Sequence, residues 1–137
     1  MAVSFEGSTL VDWTVFSHLR SELGTGFGRV LGYFREDGFK SVDAVEIGMR
    51  AGDVVAMIHP AYALKAAARQ FGAEPLADIA EAIEFICCDC VEKRETCEQA
   101  LQHVVALRPM FEQTLGLIER EANPLARRQP GFGKRSV

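Results

Sequence analysis

Between Asp53 and Phe71 the apolar residues recur at steps that suit one structure, a helix with a single buried side. Met57, Ala61, Leu64, Ala68 and Phe71 follow one another at intervals of four and three. At about 100° per residue these five fall on one stripe, which predicts a core face. Val55, Tyr62, Lys65, Ala66 and Arg69 fall on the opposite side, with His59 and Gln70 beside them. An aromatic hydroxyl therefore faces outward among small residues and two cations. Pro60 interrupts the run, because a proline removes one backbone bond and crowds the preceding turn. The expectation is a kink, or a restart with Pro60 near the first turn.

The flanking segments repeat the helical pattern. Leu10, Trp13 and Phe16 predict a short first helix, with Ser8 or Thr9 as its cap. Gly24-Thr25-Gly26 breaks that helix and starts the next, where Phe27, Val30, Leu31, Phe34, Val42, Val45 and Met49 are the inward set. Gly32 and Gly38 weaken it by about 1 kcal/mol each relative to Ala, yet one long helix is expected, with Gly38 the place where it could kink. Ala51-Gly52-Asp53 ends that helix and caps the third, which Gly72 closes. A fourth runs from about Pro75 to about Cys90, with Leu76, Ile79, Ala80, Ile83 and Cys87 inward, before a polar turn over Asp89 to Arg94. The fifth places Cys97, Leu101, Val104, Arg108, Phe111, Leu115 and Ile118 at steps of four and three, with a bend expected at Pro109. Four long amphipathic helices joined by short loops predict an all-α, up-down antiparallel four-helix bundle. The organisation expected is a lead-in over residues 1–8, one bundle domain over 9–123, and a tail over 124–137.

Charge narrows the function. The net charge is -4, yet Arg127, Arg128, Lys134 and Arg135 all lie beyond Asn123 with no acid among them. Of fifteen Lys and Arg, eleven remain in the body against nineteen Asp and Glu. An acidic body argues against nucleic-acid binding, which wants a basic face. The tail's prolines and glycines predict disorder. No run approaches the roughly 18 apolar residues of a membrane span. The N-terminus lacks the cationic start of a signal peptide. The expectation is a cytoplasmic protein with no membrane association, in which four Cys are free thiols. Cys87-x-x-Cys90 with Cys97, and His103 as a further ligand, can be written as a zinc site. But Cys87 and Cys97 also satisfy core stripes, and a lone CxxC lacks its second pair, so no metal and no cofactor are expected.

The third helix and its surroundings resemble the signature of histidine-containing phosphotransfer (HPt) domains, the carriers of multistep phosphorelays. That pattern is H-x-L-K-G, then small residues, then a Gly ten positions after the His. Leu64, Lys65, the run Ala66 to Ala68, and Gly72 fall in register with it. Gly52-Asp53 upstream and a helix from Leu76 to Glu84 downstream match as well. The resemblance extends from about Asp12 to about Glu121 and implies that the first helix is a lid across one end of the bundle. At two positions the chain departs from it. The phosphoaccepting His is Tyr62, and the Gly after the Lys is Ala66.

The resemblance implies a partner, the receiver domain of a response regulator or hybrid kinase, and a docking face of Val55, His59, Tyr62, Lys65, Ala66, Arg69 and Gln70. It does not carry over a catalytic residue. A tyrosine hydroxyl has a pKa near about 10, so little is anionic at pH 7. A phosphotyrosine ester is also far more stable than an acyl phosphate, so the group would be trapped. The chain therefore reads as a pseudo-phosphotransfer protein, not an enzyme, that binds receiver domains without relaying phosphate. Two alternatives stand beside it. His59, one turn earlier, could accept the phosphoryl group, or the bundle could serve as a structural or oligomerisation module.

Overall fold

The computed structural model describes residues 10–123. All regular structure among them is helical. α1 runs Trp13–Leu23 and α2 Phe27–Ala51, with a 3₁₀ turn at Gly24–Gly26 between them. α3 is Val54–Gln70 and α4 Glu74–Lys93. A second 3₁₀ turn at Glu98–Ala100 leads into α5, Leu101–Ala122. Ser8 and Thr9, two of the predicted caps, and the tail from residue 124 lie outside the described residues. Asp12 caps α1 instead, its Oδ1 accepting from the backbone N–H of Thr14 at 3.0 Å and Val15 at 3.3 Å.

Three helices stop in the same way, with a residue in the left-handed region after the last turn. The residues are Gly52 (φ 69°), Gly72 (φ 81°) and Arg94 (φ 56°). After α3, Gly72 N–H donates to Arg69 and Ala73 N–H to Ala68; the same paired bonds follow α2 and α4. This closure satisfies carbonyls that the last helical turn leaves without partners. It is also tight enough to keep the connections short, and short connections force neighbouring helices to run antiparallel.

α2, α3, α4 and α5 form the antiparallel bundle predicted from the sequence. α3 meets α2 where Gly48 approaches Met57 and Phe34 approaches Phe71. It meets α4 where Met57 touches Cys87. α5 returns beside α2, with Arg108 paired to Glu46 and Arg35 to Glu119. α1 lies across the end where α3 stops. Asp12 N–H donates to Gly72 O at 2.8 Å, and Arg20 Nη1 donates to Glu121 O. From there a run of rings, Trp13, Phe16, Phe27, Phe71, Phe34, Phe111 and Phe39, passes into the core at centroid spacings of 4.7–6.1 Å. Such offset and edge-to-face contacts add to the burial of each ring.

α2 is the one long helix expected, and at the buried Gly38 it packs so closely on Phe111 that a side chain would meet the ring. α3 continues through Pro60 without restarting there, and Pro109 lies inside a continuous α5. Several expectations are corrected. The segment Asp89 to Lys93 is the last turn of α4, not a loop. Cys97 precedes the second 3₁₀ turn and does not lie on α5. The predicted α5 stripe is core at Val104, Phe111, Leu115 and Ile118 and departs at its other positions. Leu107 and Thr114 are buried, Leu101 is exposed, and Arg108 sits at the boundary.

Candidate functional site

The α3 stripe predicted to be core is core: Met57, Ala61, Leu64, Ala68 and Phe71 are each at most 1% exposed. This fixes the rotation of α3 and with it the outward face. Val55 (65% exposed) and Tyr62 (50%) stand out from the surface. His59, Ala66 and Gln70 are exposed on the same ridge. Asp53 starts the helix, its carboxylate accepting from Ala56 N–H at 3.1 Å, and Gly72 ends it. Gly72 could not be exchanged for a residue with a side chain, because a Cβ there would stand 2.7 Å from Asp12 O. The glycine that fell in register in the sequence thus holds the lid to the end of α3.

Lys65 and Arg69 are placed differently from the expectation. They do not face open solvent beside Tyr62 but lie in the groove between α3 and α4. Lys65 Nζ donates to Glu84 Oε1 at 2.6 Å, with only about a fifth of either side chain exposed. The same ammonium lies 4.9 Å from the centroid of the Tyr62 ring, within reach of a cation–π attraction. The hydrogen bond to Glu84 holds the Lys65 pKa above its ordinary value. Arg69 is surrounded by Glu74, Asp78 and Glu81 of α4. Burial works against its charge, and the nearby carboxylates of Glu74 and Glu81 outweigh that and raise its pKa.

Glu81 and Glu84 are the counter-charges of the two cations. The signal for this was present in the sequence. Glu74, Asp78, Glu81 and Glu84 recur at steps of four and three along one flank of α4, and Lys65 and Arg69 are four apart on α3. Sequence reasoning also passed over Phe85, which is 72% exposed on the outer face of α4. The surface built by α3 and α4 is therefore an apolar and aromatic ridge beside a closed ladder of ion pairs. Tyr62 Oη is the only hydroxyl on the α3 ridge, and His59 carries its only imidazole.

Among the described residues, no group of three or more His, Cys, Asp or Glu is placed to hold a metal ion. No helix among them is long and apolar enough to cross a membrane. His18 pairs with Glu22 on α1, away from the ridge.

No family model matches the chain, and no curated protein matches it. Among solved structures it is similar to the crystal structure of histidine-containing phosphotransfer protein B (HptB) from Pseudomonas aeruginosa PAO1. The two share 20% identity over 82% of this chain and 93% of that one, with a TM-score of 0.72. The likeness shows that this chain has the helical-bundle fold of a phosphotransfer protein, and at that identity it shows the fold alone.

Proposed function

We propose that this protein is a cytoplasmic signalling component of the phosphorelay type that binds receiver domains without relaying phosphate. The observation that carries the reading is Tyr62, half-exposed at the centre of the α3 ridge where the resemblance would have a histidine. A phenol in that place is a poor nucleophile at neutral pH and would form an ester too stable to pass on. Tyrosine is in turn well suited to anchor an interface, with a broad apolar face and a polar tip. The fold shared with a histidine-containing phosphotransfer protein supports the same reading. Because Lys65 and Arg69 already have partners on α4, binding would rest on Val55, Tyr62 and Ala66 more than on charge.

His59 gives a specific ground for the second reading, an active carrier. It is exposed on the same ridge as Tyr62, one turn earlier. One experiment separates the two. Phosphorylated receiver domains from the same organism are incubated with the wild type, His59→Ala and Tyr62→His, and both complex formation and acid-labile phosphate are recorded. The expected result is complex formation by the wild type without label, and label in Tyr62→His. Label on the wild type that disappears in His59→Ala would establish the carrier instead. Failure of every receiver to bind would overturn both.

A further inference from the structure

At the end of the bundle opposite α1, three thiols meet between α4 and the start of α5. Cys87 is fully buried on α4, and its Sγ lies 3.5 Å from Cys97 Sγ. Cys90, one turn further along α4, is buried in the same region. Cys87 Sγ is 3.9 Å from Met57 Sδ, on the core face of α3. The cluster is not sealed. A cavity of about 460 Å³ opens beside it, lined by Gly48, Met49, Gly52, Met57 and Thr96 among others, with Cys97 in its wall. Cys97 is thus the thiol a small molecule reaches first, and Cys87 stands directly behind it.

We propose that Cys97 and Cys87 form a peroxide-reactive pair that closes to an intramolecular disulfide. The Cys97 thiolate attacks one oxygen of hydrogen peroxide, the O–O bond breaks, and Cys97 becomes a sulfenic acid as hydroxide leaves. The Cys87 sulfur then attacks Cys97 Sγ. The S–O bond breaks, and the oxygen leaves as water, taking up the Cys87 proton. In balance, two thiols and one hydrogen peroxide give one disulfide and two waters. The sulfurs must close from 3.5 Å to about 2.05 Å, a movement that the loop between α4 and α5 can supply. Burial raises the pKa of both thiols, so the thiolate is scarce and the reaction is slower than at an exposed low-pKa cysteine. The cavity compensates through access. Cys88 is exposed on α4, unlike the three buried thiols, and takes no part.

The product joins residues ten apart and ties the loop to α4, which restricts the unfolded chain. The test is to treat the full-length protein with hydrogen peroxide, block remaining thiols with an alkylating reagent, and map the peptides by mass spectrometry. The expected result is a Cys87–Cys97 cross-linked peptide, a monomer on non-reducing gels, and a melting temperature several degrees higher, reversed by dithiothreitol. Cys88→Ala should behave as the wild type does. Both Cys87→Ala and Cys97→Ala should lose the cross-link. A Cys90–Cys97 link would overturn the assignment of the pair. So would disulfide-linked dimers through Cys88, or alkylation of both Cys87 and Cys97 after treatment. Because the wild type alone supplies the peptide map, the outcome does not depend on whether the variants fold.

Discussion

Two glycines in α2 make opposite demands on a methyl group. Gly32 has nothing within 4 Å of the position a Cβ would take, whereas a Cβ on Gly38 would be driven into the Phe111 ring. Replacing either by Ala gains about 1 kcal/mol of helix propensity. At Gly38, overpacking of the core costs about 1–3 kcal/mol, which outweighs that gain. Gly32→Ala should therefore raise the midpoint of urea unfolding and Gly38→Ala should lower it, a difference in sign that a pair of denaturation curves would read. Arg94 offers a third case. It holds the left-handed position that Gly52 and Gly72 hold after α2 and α3. A side chain there costs about 1 kcal/mol, so Arg94→Gly should stabilise the fold by about that amount, and an unchanged midpoint would count against strain at this turn. Sequence reading found the two glycine stops at once because glycine advertises them. It missed the third because arginine has no such preference, and α4 was consequently expected to end three residues too soon.

At the scale of elements, α3 was legible on both faces, whereas the groove beside it was legible only by setting the acidic flank of α4 against Lys65 and Arg69, a step that the wheel of α3 alone does not suggest. A helical wheel gives the buried stripe, since Met57, Leu64 and Phe71 can only point one way, and it leaves Tyr62 and His59 outside. A wheel says nothing about which helix packs alongside, so Lys65 and Arg69 read as open cations until α4 brought Glu84 and Glu81 against them. That placement changes what charge can do at the ridge. While Glu84 holds Lys65, the ammonium presents little free charge to an acidic partner. Glu84→Gln removes the counter-charge and keeps the side chain's shape. If receiver domains bind here, this variant should bind them faster and more tightly at low salt, and the gain should shrink as salt is raised. Surface plasmon resonance at two ionic strengths would show it. An association rate that Glu84→Gln leaves unchanged at both would mean that the partner does not approach Lys65. The helix does not restart at Pro60 for a related reason. Pro60 and Pro109 are unfavourable locally, but each lies in a long helix packed on the core, and tertiary burial keeps the helix whole.

For the whole molecule, the order of helices and their antiparallel sense followed from amphipathic segments joined by short loops, and the structure has both. The lid at one end was implied by the resemblance, but the thiol cluster at the other end was not foreseen. One end is sealed by α1 and the run of rings from Trp13 to Phe111, and the other holds the thiols. These thiols set a limit on the pH range of the fold. Burial raises the pKa of Cys87 and Cys97 above the ordinary 9.0 and pushes Cys90 up to about 11. In the unfolded chain each thiol ionises near its ordinary value, so from about pH 9 the unfolded state holds fewer protons than the native one. The stability linked to these groups is therefore complete below pH 9 and is lost as pH climbs towards 11. Lys65 and Arg108, whose pKa values are raised by their carboxylate partners, would begin to lose charge only at higher pH and would act in the same direction. Urea unfolding at pH 8 and pH 10 should show a lower free energy at pH 10, with less of a fall in Cys90→Ala than in the wild type. Equal falls in both would mean that the alkaline loss arises elsewhere than at Cys90, and no fall at all would mean that the thiols ionise in the folded bundle as readily as in water.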